Sequence, residues 1–151
     1  MKKSALAVAA LAAVVAMAAA QPGWAARRCI APRATEAEQA IRYITNLMVA
    51  SSACKNTVYA EFALRNRVQI IRYQRAMIAH LHGTSAFDHW DTMLANEAAE
   101  RQAAVPPVQF CQEAQPMLQQ AAALDGSGFR AYVAAQAAAA GAPPSAACNR
   151  R

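Results

Sequence analysis

Apolar side chains recur every three or four residues along much of the chain, and the first clear run lies at about 35–52. Gln39 and Arg42 occupy the opposite side of this run. Thr35 and Glu38 form a capping box, in which each side chain satisfies a free backbone amide at a helix start. The pattern therefore predicts an amphipathic helix. Its apolar stripe contains Ala37, Ala40, Ile41, Ile44, Leu47, Met48 and Ser51.

Two longer helices are predicted next. The first covers about 56–82 and is closed by Gly83, since glycine is favoured just past a helix end. The second covers about 86–104 and begins at a cap formed by Thr84 or Ser85. Because the connection between them is short, we expect these helices to be antiparallel neighbours.

Two shorter helices complete the prediction. One covers about 108–124 and is bent or restarted at Pro116, and the other covers about 129–140 with Ser127 as its cap. No segment alternates apolar and polar residues over several β-branched positions, so no strand is predicted. The expected fold is all-α: a small antiparallel helical bundle of four to five helices, stapled by two disulfides.

The N-terminus has the layout of a secretory signal peptide. A positively charged start is followed by an uncharged apolar run over 5–20, and small residues allow cleavage after Ala20 or Ala25. The run is too short and too rich in alanine to favour a permanent transmembrane helix. We therefore expect 1–25 to be removed. The remaining 26–151 would form a single helical domain with short N- and C-terminal tails, periplasmic or secreted and without a transmembrane anchor.

Composition and charge narrow the class of protein further. The chain has 151 residues, of which 42 are alanine, and its hydrophobic content of 56% excludes a disordered chain. The length suits one domain rather than a long multidomain enzyme. Without the predicted signal peptide, 13 basic residues stand against 9 acidic ones. In an exported protein, this modest excess favours anionic envelope surfaces, acidic lipids or acidic proteins as partners over nucleic acid.

Four cysteines, Cys29, Cys54, Cys111 and Cys148, lie after the predicted signal peptide. An even number in a small exported protein predicts two disulfides. Cys29 with Cys54 is the least favourable pair, because the helix between them is ~27 Å long at ~1.5 Å per residue. Cys54 and Cys111 fall at the same end of an up-down bundle, so we expect these two to pair. Cys29 would then join Cys148, although long tails would also permit Cys111 with Cys148.

Polar residues interrupt the apolar arcs of the second and third predicted helices. Arg67 and Gln74 project into the arc of the second helix, while Glu97 and Arg101 do so on the third. Counted from the shared turn, these residues lie at one height of the bundle. They would form either a satisfied interhelical salt bridge or a polar pocket for a small anion or a partner's side chain.

Histidines and carboxylates also cluster around the same turn. His80, His82 and His89, with Asp88 and Asp91, offer donor types that suit zinc or copper. His80 and His82 are two residues apart, however, so on a helix they point ~160° from each other at ~100° per residue. They could converge only if the helix frays there, and the alternative is a set of exposed turn residues.

No nucleophile elbow, phosphate loop or dinucleotide motif occurs, and we expect neither an enzyme nor a cofactor. A hydrolase would need Glu61 or Glu97 as an acid or base in a cleft. The favoured function is non-enzymatic binding to an envelope or secreted partner, most simply a protein, in an interaction, inhibitor or stress-protective role. The alternative is a metal or small-ligand binding protein that uses the His80/His82/His89 cluster or the Arg67/Gln74/Glu97 level.

Overall fold

The structure, a computed structural model, describes residues 32–141, with side chains from residue 34 onward. This range contains helices and no strand, as predicted, and none of its helices is long and apolar enough to cross a membrane. The predicted signal peptide, both tails, Cys29 and Cys148 lie outside it. The helices are α1 (Pro32–Ala53), α2 (Val58–Arg65), α3 (Arg67–His80), α4 (Thr84–Ala103), α5 (Pro107–Ala123) and α6 (Gly126–Ala139).

α1 is the central helix of the bundle, because each of the other five packs against it. Its predicted apolar stripe is buried apart from Met48, which is 38% exposed. Tyr43 lies outside the stripe and is also buried, so the helix is covered on more than one side. Ala37, Ala40 and Ala50 are completely buried. Their small side chains leave room for neighbouring helices to pack closely on α1.

The predicted single helix over 56–82 is wrong, because the chain breaks at Asn66 into α2 and α3. Asn66 is 1% exposed, and its Nδ2 donates hydrogen bonds to the carbonyl oxygens of Phe62 (3.0 Å) and Leu124 (3.1 Å). An asparagine side chain that binds backbone carbonyls competes with regular helix hydrogen bonding. The break accounts for six helices where four to five were expected.

Two predicted helix starts are also wrong. α1 begins at Pro32, so Thr35 lies inside the helix and does not cap it. Proline suits the first helical position because its fixed φ is already helical and it has no amide hydrogen to leave unpaired. α4 has Gly83 at its N-cap, and neither Thr84 nor Ser85 provides the cap.

α6 is capped by Asp125 rather than by the predicted Ser127. Oδ1 of Asp125 accepts hydrogen bonds from the backbone amides of Ser127 (3.0 Å) and Gly128 (2.7 Å) and from the Ser127 hydroxyl (2.8 Å). The amide of Gly128, followed by the Ser127 hydroxyl, holds the pKa of this carboxyl below its usual value. The acidic group in this turn therefore has a structural role. α5, by contrast, continues through Pro116 without the predicted restart.

The core is built around aromatic rings contributed by four helices. Phe62 of α2 and Phe129 of α6 are completely buried, with ring centroids 5.0 Å apart at 84°. Tyr43 of α1 contacts both rings, and Tyr73 of α3 meets Phe129 edge to face. Burial raises the pKa of the Tyr43 hydroxyl well above its usual value. This cluster joins α1, α2, α3 and α6 into one interior.

The disulfide predicted between Cys54 and Cys111 is present, with Cα atoms 5.6 Å apart. It links the turn after α1 to α5 across 57 residues of sequence. The argument that placed both cysteines at one end of the bundle is therefore confirmed for this pair.

Candidate functional site

The polar group predicted on the second and third helices assembles only in part. Arg101 donates from Nη1 to Glu97 Oε1 (2.6 Å) on α4 and from Nη2 to Asn46 Oδ1 (2.9 Å) on α1. Arg67 is exposed and Gln74 half-buried on α3. Within the described residues, neither forms a hydrogen bond or salt bridge with Glu97. α3 and α4 each pack on α1 more than on each other, so positions far from their shared turn do not face one another.

Glu97 and Arg101 form a surface ion pair. Their side chains are 57% and 53% exposed. An exposed pair one helical turn apart contributes only about 0.3–0.5 kcal/mol, because water and salt screen it. The structure therefore replaces the predicted interhelical level with a pair within α4 that also reaches α1.

Arg101 does border a cleft, although with different neighbours from those predicted. The cleft lies between α1, α4 and α5 and has a volume of about 390 Å³. Asn46, Arg101 and Glu113 form its polar rim, and its apolar lining consists of Val49, Ala98, Phe110, Ala114 and Met117. Such a shape suits a small amphiphilic molecule, but the Arg101 charge is already neutralised by Glu97.

The residues of the predicted metal cluster are spread around the turn between α3 and α4. His80, His82, His89 and Asp88 are exposed, while Asp91 is half-buried and accepts a hydrogen bond from the hydroxyl of a threonine on α1 at 3.3 Å. The helix ends at His80, and His82 has a positive φ of 62° in the turn. Among residues 34–141, no three histidine, cysteine, aspartate or glutamate side chains come together as metal ligands. Although α3 ends at His80, the turn that follows does not bring the histidines together.

A second open groove lies over the disulfide. It has a volume of about 620 Å³ and runs between the end of α1 and the first turns of α5. Cys54 and Cys111 form part of its wall, Lys55 and Gln112 are polar members, and Val108 at its edge is 72% exposed.

Sequence reasoning did not single out a basic surface that lies at the end of α2 and along α3. From 62 to 87, the chain contains four arginines and no aspartate or glutamate. Leu64 and Val68 are 78% and 75% exposed, more than any other large hydrophobic residue of the described range. Counting acidic residues along windows of the sequence would have revealed this segment. We call the exposed side chains of Leu64, Arg67, Val68, Arg72 and Arg75 the basic surface.

Helix geometry explains why three residues of the basic surface share one side of α3. Val68, Arg72 and Arg75 follow at spacings of four and three residues, which places them within an arc of ~60° at ~100° per residue. The opposite side carries Tyr73 and Met77, which are buried in the core. The outward arc of α3 is thus basic and aliphatic, while the inward arc is apolar.

The arginines of this segment differ in their partners. Arg65 donates from Nη2 to the carbonyl oxygens of Ala121 (3.1 Å) and Ala122 (3.0 Å) in the last turn of α5. The helix dipole stabilises a positive charge at this end of a helix. All nine acidic residues of the chain lie in the described range, and none forms a salt bridge with Arg67, Arg72 or Arg75. Arg65 therefore has a structural role, whereas the arginines of the basic surface face solvent.

The buried hydroxyl of Tyr73 reports on the charges at the edge of the basic surface. Burial raises its pKa, and the Glu36 carboxylate adds to this rise. Arg72 and Arg130 oppose it, so the guanidinium groups of α3 and α6 lie near the same hydroxyl. Charges of both signs thus act on this hydroxyl, with Glu36 opposing the two arginines.

Comparison with known proteins gave no match: no family profile, no curated protein and no solved structure is significantly similar to this chain.

Proposed function

We propose that this protein is an exported, non-enzymatic binding protein that engages an envelope or secreted partner through the basic surface. One observation carries the proposal: the exposed aliphatic side chains of Leu64 and Val68 stand among arginines that form no salt bridge in the described range. Exposed apolar groups rimmed by charge of one sign are typical of contact surfaces. An interaction, inhibitor or stress-protective role would each use such a surface.

Local energetics support this assignment. A glutamate one helical turn from an arginine stabilises a helix by about 0.2–0.5 kcal/mol. α1 has such a pair in Glu38 and Arg42, and α4 has one in Glu97 and Arg101. α3 lacks one, although it carries three arginines. Because α3 lacks this stabilisation on its outward side, a role for its arginines in binding is favoured.

The disulfide supports export. Cystine bridges persist in oxidising compartments and are rare in the cytosol, where thiols are kept reduced. The bridge between Cys54 and Cys111 joins two elements of the bundle, as expected of a structural disulfide in a small exported domain. It agrees with the signal peptide predicted over 1–25.

Site-specific photocrosslinking in cells that export the full chain tests the proposal. A photoreactive amino acid replaces Val68 on the basic surface, or Ala99 on the exposed side of α4 as the control. We expect an adduct from position 68 that decreases when Arg72 and Arg75 are both changed to glutamine. Equal labelling at both positions, or labelling at 68 that does not depend on the arginines, contradicts the proposal.

A second candidate function is small-ligand binding in the cleft beside Arg101. The apolar lining with a polar rim favours it, because small-molecule sites combine these two features. Native mass spectrometry of the protein purified from an exporting host tests it. A retained small molecule that is lost in an Arg101→Gln variant supports this function, and a ligand-free mass in the parent contradicts it.

A further inference from the structure

We infer that the occupant of the basic surface is an anionic lipid membrane, bound at its phosphate groups. The inference rests on the proposed function and names the partner class for the same surface. Arg67, Arg72 and Arg75 would bind lipid phosphates, while Leu64 and Val68 would enter the boundary between headgroups and acyl chains. The protein would thus bind peripherally, with the axis of α3 in the membrane plane.

The shape of the basic surface favours a membrane over a protein. Val68, Arg72 and Arg75 span about 10 Å along one side of a helix, at ~1.5 Å rise per residue. Both aliphatic side chains protrude and are at least three-quarters exposed. Hot spots of protein interfaces are enriched in tryptophan, tyrosine and arginine, and of these three types only arginine occurs among the five residues. At a membrane interface, by contrast, aliphatic groups enter the acyl boundary while neighbouring cations contact the headgroups, and this needs no pocket.

The choice of basic residue also fits phosphate. Every cation of the basic surface is an arginine, whose planar guanidinium donates two parallel hydrogen bonds to a phosphate group. Each arginine near an anionic membrane adds about a fivefold increase in affinity, from ~1 kcal/mol per charge. Three such residues are fewer than the about four to eight of polybasic membrane-binding segments, so the aliphatic side chains must contribute as well.

The charge of the other helices fixes the orientation of binding. α4 and α5 carry Asp88, Asp91, Glu97, Glu100 and Glu113 against a single arginine. An anionic membrane repels these helices and attracts α3. The protein therefore presents α2 and α3 to the membrane, although its overall charge excess is modest.

Vesicle co-sedimentation of the mature full chain provides the test. We expect binding to vesicles of equal parts phosphatidylglycerol and phosphatidylcholine, and little binding to phosphatidylcholine alone. The double variant Arg72→Gln/Arg75→Gln should bind about 25-fold more weakly, as two charges at about fivefold each. The control Arg42→Gln/Arg101→Gln has the same net charge but leaves the basic surface intact, so it should bind nearly as the parent does.

Salt separates the two parts of the interaction. Charge attraction is screened beyond ~8 Å at physiological ionic strength, whereas burial of an aliphatic side chain is not. Leu64→Asn should therefore weaken binding about tenfold and make the remainder more sensitive to salt. Binding unaffected by this change would overturn the insertion of Leu64 and Val68.

The outcomes distinguish failure of the lipid assignment from failure of the proposed function. Equal binding to neutral and anionic vesicles, or equal loss in the two double variants, overturns the lipid assignment. An arginine-dependent protein adduct at Val68 without vesicle binding also overturns it, but leaves the proposed function standing. If vesicle binding and the photocrosslink are both absent, both proposals fail.

Discussion

The helix pair α2–α3 and the helix pair α4–α5 resemble each other inside the bundle and differ on its surface. Both pack apolar side chains into the core on α1, such as Phe62 from the first pair and Leu118 from the second. Outside, α2 and α3 carry four arginines against one glutamate, while α4 and α5 carry one arginine against five carboxylates. The core constrains only the inward positions, so the outward positions are free to specify a partner.

The two pairs also differ in how their charges are arranged. The single arginine of α4, Arg101, is paired with Glu97 and bound to α1. Arg72 and Arg75 of α3 are three residues apart and repel each other. One surface is thus arranged for local stability and the other is not. Stability and binding should therefore respond differently to changes in the two pairs.

The largest effect is expected inside the first pair. Phe62→Ala should lower the free energy of unfolding by about 3–5 kcal/mol, because it opens a cavity where a completely buried ring packs on Phe129. Leu64→Ala, two residues away but 78% exposed, is the matched control and should change it by less than about 0.5 kcal/mol. Urea denaturation followed by circular dichroism measures both. Similar losses in the two variants would contradict the structure, in which α2 buries Phe62 and exposes Leu64.

The next effect concerns the covalent link to the second pair. Replacing both Cys54 and Cys111 by alanine should cost about 2–4 kcal/mol, because the bridge restricts an unfolded loop of 57 residues. Reduction of the parent should cost at least as much, and in a variant with Cys29 and Cys148 replaced instead, the remaining bridge alone should account for the response to reductant. A midpoint of denaturation unchanged by reduction would contradict a stabilising role.

A smaller effect, with a defined pH dependence, is expected where α2 meets α3. Asn66→Asp removes the donor to the Phe62 and Leu124 carbonyls and should cost about 1–3 kcal/mol or more near neutral pH. Burial raises the pKa of the new carboxyl in the folded state. The loss of unfolding free energy is therefore small below pH ~4, where the carboxyl is protonated in both the folded and the unfolded protein. It grows as pH rises toward the pKa of the folded state.

Unfolding curves across this pH range test the Asn66 prediction. Asn96→Asp on the exposed side of α4 is the control. It adds the same charge without burying it, so it should show little pH dependence. An equal response in both variants would mean that net charge, and not burial at position 66, causes the effect.

The smallest expected effect is a change in folding stability, which should have opposite signs in the two helix pairs. Arg72→Glu creates an attractive pair with Arg75 and should stabilise the fold by about 0.2–0.5 kcal/mol while it weakens binding. Arg101→Glu breaks the pair with Glu97 and should destabilise the fold by a similar amount. Thermal unfolding measures both changes. A destabilising Arg72→Glu would indicate that Arg72 serves the fold, which would remove the energetic support for the basic surface.

Periodicity was sufficient to predict the helical class and the approximate extent of most helices. Counting the predicted helices in an up-down order also placed Cys54 and Cys111 at the same end of the bundle. Periodicity failed at Asn66, whose partner Leu124 is 58 residues away in sequence. A helical wheel contains no information on such a long-range hydrogen bond.

The candidate site shows the same limit. Glu97 and Arg101 pair because their spacing of four residues brings them together on any helix. Arg67 and Gln74 do not join them, because this depends on how α3 and α4 diverge after their turn. The basic surface depends on a run of sequence without acidic residues and on helical spacing, so both features could be predicted from the sequence.

The completely buried alanines of α1 determine which mutations this domain can accept. Ala37, Ala40 and Ala50 have no side-chain volume beyond one methyl group, while five helices press on the segment that holds them. Larger residues there would cost about 1–3 kcal/mol each through overpacking, and glycine about 1 kcal/mol through lost helix propensity. In a saturation library, these three alanine positions should have the lowest diversity, while the outward positions of α3 should vary freely under selection for folding alone.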